Sequence, residues 1–290
     1  MRLAMTVTEM RSVPVSVLER LLGEDVADGD LTTASLGIGG LPGAMEFRAR
    51  QAMTVAGSDV AAGMIEHAGA EASLLLAPGA RAEAGALILT AKGPAAALHK
   101  SWKAAQTLVE ILSGIATATR ALVDAVQAAN PETRVVCTRK TVPGARRLSM
   151  MAIRAGGAIP HRLGLSETIL VFAEHRVFMP GASPADIAAR LRREAPEKKL
   201  GVEVATVAEA REAIEAGFDI VQLEKMTPAD VAAVSAATRA SPHRVLIAAA
   251  GGVSPDNAGA FVRAGAGLIV SSWPYTARPA DVAVTIRPAQ

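Results

Sequence analysis

Residues 200–224 read LGVEVATVAEAREAIEAGFDIVQLE, and this stretch decides the fold. Leu200–Val204 is a short apolar strand candidate. Thr206 followed by Glu209 forms a capping box at the start of a helical pattern over Val207–Ala216. Gly217 stands where a helix ends in a left-handed residue, and Asp219–Leu223 starts a second strand candidate. Strand, helix and strand at this spacing mean a parallel pair joined by a crossover helix.

The same unit recurs outward. Further strand candidates are Val135–Thr138, Ile169–Phe172, Val245–Ala250 and Leu268–Ser271. Helical patterns cover Pro184–Glu194, Ala229–Thr238 and Asp256–Ala264. Ser183-Pro184, Thr227-Pro228 and Ser254-Pro255 each put a capping hydroxyl before a proline at the first helical position, and Gly265 reads as a C-cap. A run of such units closes into a β/α barrel or lays down an open doubly wound sheet. The first half differs. Val17–Leu22 is a short helix followed by acidic residues at Glu24-Asp25 and Asp28-Gly29-Asp30. Ala44–Val55 and Ser73–Gly93 read as strands and turns, with a helix over Asp59–His67 capped by Ser58. Ala95–Ala129 reads as one or two helices interrupted near Ser113-Gly114. The expected division is 1–129 for a first α/β domain, 130–278 for the β/α domain carrying the active site, and 279–290 for a segment returning to the first domain.

Composition narrows the function. The chain has 290 residues, enough for one large or two ordinary domains, and half of them are hydrophobic. A formal net charge of +2 argues against a general nucleic-acid binder. Charge is nonetheless concentrated: from Thr133 to Ser166 there is no acid, while Arg134, Arg139, Lys140, Arg146, Arg147, Arg154 and Arg162 all fall there. A basic pocket in a nearly neutral protein suits a small anion. Cys137 is the sole cysteine, which excludes an intrachain disulfide. No apolar run reaches a bilayer-spanning length, and Met1–Met10 has neither the apolar core nor the cleavage site of a signal peptide. The expected location is cytoplasmic, with no membrane partner.

In a β/α barrel, chemistry sits at the carboxyl ends of the strands. Arg139-Lys140, Glu203, Glu224, Gly251-Gly252 and Ser271-Ser272 all fall at such ends, and His161-Arg162 lies in a loop before another strand. Arg139, Lys140, His161 and Arg162 form one constellation suited to a multiply charged anion, because guanidinium pairs with carboxylate or phosphate in a planar fork. Arg146, Arg147 and Arg154 read instead as a solvated helix face. Glu203 and Glu224 form a second constellation, fit for Mg²⁺ completed by substrate phosphate, or for an ion pair with Lys225. Gly251-Gly252 ahead of a helix start forms a third, a backbone cradle for phosphate. Met5, Met10, Met150 and Met151 read as filler, His67, His99 and His243 lack ligand spacing, and Cys137 reads as a small buried hydrophobe.

Thr138-Arg139-Lys140-Thr141 with Pro143-Gly144, Gly156-Gly157 and His161-Arg162-Leu163-Gly164-Leu165 resembles quinolinate phosphoribosyltransferase, also called nicotinate-nucleotide pyrophosphorylase. The block from Leu112 to Arg120 and the early Glu24-Asp25 with Gly29-Asp30-Leu31-Thr32-Thr33 resemble it too. His161–Thr168 and Ser271–Tyr275 are closer still to its ModD subgroup, pyrophosphorylase-like proteins associated with molybdate-uptake genes. The resemblance implies an N-terminal α/β sandwich, an incomplete parallel β/α barrel, and a homodimer or larger even assembly with shared sites. It implies transfer of phosphoribosyl from phosphoribosyl diphosphate to an anionic heteroaromatic acid, with pyrophosphate release, in NAD biosynthesis. By that pattern Lys140, Glu203 and Glu224 are catalytic, with Mg²⁺ on the two acids. Lys103, Arg139, His161, Arg162, Gly251, Gly252, Ser271 and Ser272 bind substrate, Lys103 standing where the family has an Arg reaching across the interface.

Three departures from the pattern fall inside the site. Phe172-Ala173-Glu174-His175 stands where the family has an active-site Lys followed by Asp-Asn-His. Ala248–Ala250 replaces a run containing Glu, and Leu223-Glu224-Lys225 replaces Leu-Asp-Asn. They point away from a dicarboxylate such as quinolinate. They also leave a second expectation, a non-catalytic or altered-substrate anion-binding accessory protein linked to molybdate uptake.

Overall fold

The computed structural model describes residues 13–289, so the readings placed on Met1–Met10, Met5 and Met10 among them, lie outside the described residues. The chain begins with α1 (Val15–Val26), α2 (Leu31–Leu36), β1 (Pro42–Ala49), β2 (Met53–Thr54), α3 (Ser58–His67), β3 (Glu71–Leu74), β4 (Arg81–Ala82), β5 (Leu87–Pro94) and α4 (Ala95–Ala129). It continues with β6 (Arg134–Cys137), α5 (Arg146–Ala155), β7 (Ile159–Pro160), β8 (Ile169–Val171), α6 (Ala173–Arg176) and α7 (Pro184–Glu194). Then come β9 (Leu200–Val204), α8 (Val207–Glu215), β10 (Ile220–Glu224), α9 (Pro228–Ala240), β11 (Leu246–Ala250), α10 (Pro255–Arg263) and β12 (Leu268–Ser271). A 3₁₀ turn at Trp273–Thr276 leads to β13 (Val282–Pro288). Two compact units result. One takes the chain through Ala118 with Arg147–Gly156 and the residues from Ala277 on; the other takes Thr119–Arg146 and Gly157–Thr276.

In the second unit seven strands line up as β7-β6-β12-β11-β10-β9-β8, every pairing parallel. Helices α7 to α10 supply the crossovers. Chain order around the sheet runs β8 to β12, returns to β6 and ends at β7, so the sheet is a β/α barrel opened between β7 and β8. Barrel and doubly wound sheet stood as alternatives; the unbroken sequence β8 to β12, with no reversal of strand order, decides for the barrel. The strands are buried on both faces, as in β9, where only Glu203 is even partly exposed. Val202, Val221, Leu223, Ile247, Ala249 and Ile269 are all nearly inaccessible.

The first unit is built on an antiparallel sheet, β13-β1-β5-β3, with the closing strand β13 paired along β1 from Gly43–Pro288 to Ala49–Val282. Strand β1 alternates buried and more exposed positions, which puts Met45, Phe47 and Ala49 into a core shared with Ile65, Leu89 and Leu98.

Capping by Ser183, Thr206 and Thr227 is observed: each hydroxyl accepts a hydrogen bond from the backbone N–H three residues on. Three local expectations are corrected. Helix α4 is continuous over 35 residues. Ser113 and Gly114 are packing positions in it: Ser113 Oγ accepts from Ala56 N at 3.0 Å, and a Cβ at 114 would strike the backbone of Arg278 and Pro279. Ser58 is the first residue of α3, not its cap; its hydroxyl donates to Leu76 O at 2.9 Å, and left-handed Gly57 precedes the helix. At α10 the side chain of Ser254 makes no cap; Asn257 Oδ1 instead accepts from Ser254 N at 2.9 Å.

Candidate active site

All strands of the open barrel send their carboxyl ends to one side, and a cavity of about 680 Å³ opens there. Its lining follows strand order. Thr138, Arg139 and Lys140 come from the end of β6, His161 and Arg162 from beyond β7, and Phe172 and Glu174 from beyond β8. Glu203 comes from β9, Gln222 and Glu224 from β10, Lys225 from just beyond it, Gly251 and Gly252 from beyond β11, and Ser271, Ser272 and Trp273 from β12 and its exit. Ala250 and Val270 add apolar lining, and they pack with Ala248 and Val136 beneath.

Charge in the cavity is sorted with one exception, Lys225, which follows Glu224 on the acidic side. Arg139, Lys140 and Arg162 form a basic bank, and among the described residues none of them has an ion pair. Arg162 is the telling member: it is 7% exposed, and its guanidinium carbon lies 5.7 Å from the Phe172 ring centroid. Burial, then the nearby Arg139 charge, hold it below the ordinary arginine value. A buried guanidinium without a carboxylate is unfavourable unless an anion completes it. The same two influences act on His161, where burial first and Arg162 second push the imidazole below its usual value, so at neutral pH the ring is uncharged.

The acidic bank is Glu174, Glu203 and Glu224. Burial, followed by the Glu224 charge, raises the Glu203 carboxyl above its usual range, while a hydrogen bond from Gln222 opposes the rise. That bond is short, Gln222 Nε2 donating to Glu203 Oε2 at 2.6 Å. The pairing of β9 with β10 sets Gln222 directly beside Glu203. The other end of the amide, Gln222 Oε1, is buried and has no well-formed hydrogen bond, although the amide lies near enough to His161 to favour its protonated form. Neither Glu203 nor Glu224 pairs with Lys225, so the ion-pair alternative for these acids is not realised. Among the described residues no three His, Cys, Asp or Glu side chains are placed to hold a metal by themselves.

Backbone shape at the cavity edge is constrained. Lys225 adopts φ of 55°, the left-handed region, and its N–H donates to Ala250 O at 2.9 Å. This brings it against Gly251, where an added Cβ would sit 2.5 Å from Lys225 Cγ and 2.7 Å from Lys225 N. Only glycine fits, which leaves the backbone after β11 bare toward the cavity. Ser271 is buried with its hydroxyl donating to Val253 O at 2.7 Å, so it ties the β12 exit to the glycine loop. Tyr275 OH donates to Thr138 O at 2.9 Å and anchors the residue before Arg139; burial raises its phenol above the usual value.

The structure therefore gathers Arg139, Lys140, His161, Arg162, Glu203, Glu224, Gly251, Gly252, Ser271 and Ser272 around one cavity. Lys103 is not among the lining residues; it is exposed on α4, its Nζ 3.2 Å from Gln106 Oε1 and 4.8 Å from the Trp102 ring centroid. Arg146, Arg147 and Arg154 lie exposed on α5, and Cys137 is buried with its thiol pushed up to about 12 by burial. Met150 is buried and Met151 half-buried, as filler should be. Gln222 was missed by the sequence reading. Its signal was present: a lone polar side chain inside the apolar run of β10, in register with Glu203.

An open β/α barrel with a basic bank, an acidic bank and a glycine loop at its mouth defines a class of protein whose site suits small, multiply charged anions. The comparisons give that class its family. Residues 30–113 match the N-terminal domain and residues 115–285 the C-terminal domain of quinolinate phosphoribosyl transferase, and the chain belongs to that family of pentosyltransferases. It is 47% identical over 250 residues to the protein described as "Putative pyrophosphorylase ModD" from Rhodobacter capsulatus, covering 86% of this chain and 96% of that one. The protein of the same description from Escherichia coli O6:H1 is 38% identical over 274 residues, 94% of this chain and 96% of its own. Among solved structures, NadC from Streptococcus pyogenes superposes with a TM-score of 0.87 at 25% identity, covering 99% of both chains. Among the described residues no helix is long and apolar enough to cross a membrane.

Proposed function

We infer that the cavity transfers a phosphoribosyl group from phosphoribosyl diphosphate to a heteroaromatic carboxylic acid. The observation that carries this reading is the sorted charge: a buried, unpaired Arg162 beside Arg139 on one bank, and a like-charged Glu203–Glu224 pair on the other. One bank asks for a carboxylate, the other for a cation. In this reading Arg139 and Arg162 hold the acceptor carboxylate and aim its ring nitrogen at the anomeric carbon. The nitrogen lone pair forms the new C–N bond while the bond from that carbon to the diphosphate oxygen breaks, its electron pair leaving with pyrophosphate. Lys140 is a point charge for the diphosphate, the backbone of Gly251 and Gly252 receives phosphate, and Ser272 completes that cradle with Ser271 holding it in place. Fixed charge and positioning supply most of the acceleration.

Mg²⁺ fits the acidic bank as a partner of substrate rather than a caged ion, since Mg²⁺ is commonly bound by one or two carboxylates plus phosphate oxygens. Glu203 and Glu224 would hold it, and it would supply neutralisation of the departing pyrophosphate. We also take the protein as an even homo-oligomer in which the exposed Lys103 serves a neighbouring copy's site, the active-site domain being residues 130–278 and the location the cytoplasm. Mixing Lys103→Ala with Arg139→Ala protein should restore turnover that neither has alone; no recovery removes the shared site.

The test of the reaction is pyrophosphate release from phosphoribosyl diphosphate with Mg²⁺ and a panel of heteroaromatic acids. Release with at least one acid, and a nucleotide of matching mass, is expected. Binding of phosphoribosyl diphosphate without turnover by any acid would instead favour an anion-binding accessory role, a reading supported by apolar Phe172 in the cavity wall.

A further inference from the structure

A second cavity of about 530 Å³ runs along the free edge of β8, where the barrel is open, and it shares Arg139, Arg162, Leu170 and Phe172 with the first. Its remaining wall is largely apolar, with Leu165, Ile169, Met179, Ile187 and Leu191. No Asp or Glu lines it, whereas Arg176 and Arg190 join the two shared arginines. Arg176 is engaged with Glu209 at 3.3 Å; Arg190 has no ion pair among the described residues. Phe172 lines both cavities. Its ring lies 5.7 Å from the Arg162 guanidinium carbon and stacks on His175 at 5.8 Å and 25°, and its N–H donates to His175 Nδ1 at 2.9 Å.

This arrangement does not suit a small dicarboxylate. A cationic side chain in place of Phe172 would have offered a second carboxylate a partner; an aromatic ring offers it none and presents apolar surface instead. What matches is a molecule with one carboxylate at the shared arginines and an apolar body that passes Phe172 into the space beside β8. We propose that the second cavity is the acceptor annex, and that the acceptor is a heteroaromatic monocarboxylate enlarged by an apolar ring or chain. The proposal rests on the transferase reading above and names its substrate class. Transfer to such an acid forms the C–N bond, releases pyrophosphate and leaves the carboxylate in the product, with no carbon dioxide lost.

The probe is isoquinoline-4-carboxylate, which is nicotinate with a fused benzo ring, compared with nicotinate and quinolinate by titration calorimetry on the full chain. The fused ring should tighten binding about 10-fold over nicotinate, the gain from burying four more ring carbons at roughly 25 cal/mol per Å². Met179→Trp fills the annex from the turn after α6 and Leu191→Phe from α7, and in each the ratio between the two acids should fall to about one. Folding of each variant is checked by its thermal transition. Equal affinity for the two acids in the unaltered protein overturns the annex, as does a ratio that survives both folded variants. The transferase reading fails separately: tight, annex-dependent binding of the probe without pyrophosphate release by any acid leaves the annex as a binding site and removes the reaction. Release with nicotinate or quinolinate, but no advantage for the fused ring, does the reverse.

Discussion

The two banks of the cavity are built from the same kind of material and are stabilised in opposite ways. On the acidic bank the repulsion between Glu203 and Glu224 is relieved within the chain, by protonating Glu203 more readily and by the short bond from Gln222. On the basic bank the guanidinium of Arg162 cannot give up its proton at any ordinary pH, and among the described residues no acid pairs with it. One bank can neutralise itself; the other waits for a ligand. The binding energy of the substrate anion is therefore concentrated where the free protein is least satisfied.

The largest expected effect breaks the basic bank. Arg162→Met removes a buried charge that the free protein does not pair. Loss of a charge-assisted, desolvated contact of this kind weakens ligand binding by about 2–4 kcal/mol, or on the order of 30- to 1,000-fold. The melting temperature of the ligand-free variant should hold or rise, because the buried charge is gone. Calorimetric titration with an acid acceptor and a thermal melt check both halves. A variant that binds normally removes Arg162 from the ligand contacts, and one that melts earlier while binding weakly shows that Arg162 supports the fold instead.

Breaking the acidic bank comes next. Glu203→Gln should lower turnover about 100-fold, the range seen when one positioned group at the reacting charge is lost, with the dependence on Mg²⁺ weakened. Its stability has the opposite sign. The folded-state carboxyl sits above its ordinary value of 4.5, so its favourable contribution is present below that pH and lost as pH rises through the raised value. At pH 7 the ionised group is a liability. Glu203→Gln should thus melt higher at pH 7, with the gain disappearing below about pH 4.5. Melts at the two pH values, compared between the two proteins, give the answer.

Much of this contrast was legible in the sequence, and the reason is geometric. Each strand of a parallel barrel delivers the residues at its carboxyl end to the same side, so the segment ends alone placed Arg139, Lys140, Glu203, Glu224, Gly251 and Ser271 together. Three features were not legible. Strand order was one, because β6 lies between β7 and β12, and a pairing between segments more than 120 residues apart leaves no local mark. Gly114 was another: it looked like a helix break and is a close approach to Arg278 and Pro279, a contact only the folded chain creates. The annex was the third. It depends on β7 and β8 being unpaired edges although they are neighbours in sequence, and Phe172 alone announced only that the wall was no longer charged.

A smaller effect sharpens the acidic side. Because the Glu224 charge is the second cause of the raised Glu203 carboxyl, after burial, Glu224→Gln should move the acid limb of kcat/KM to lower pH. Glu174→Gln should move it in the same direction by less, since its charge contributes less. An acid limb that stays in place in both variants assigns that limb to a group other than Glu203.

The smallest effect belongs to Tyr275, which touches neither bank. Its hydroxyl donates to the carbonyl of Thr138, so it fixes the backbone from which Arg139 and Lys140 project. Tyr275→Phe removes a single neutral hydrogen bond, a change of about 1 kcal/mol, and leaves a carbonyl that lies beside the open cavity mouth for water to satisfy. The expected outcome is a rise in KM for the acceptor of several-fold, with kcat changed little, because Arg139 would sample more positions before substrate binds but the bound geometry would be regained. If kcat falls as far as KM rises, Tyr275 acts on the transition state as well as on the approach to it. If neither changes, the basic bank is held by its strand alone, and the contrast between a self-neutralising bank and a ligand-dependent one needs no support from the turn at Trp273–Thr276.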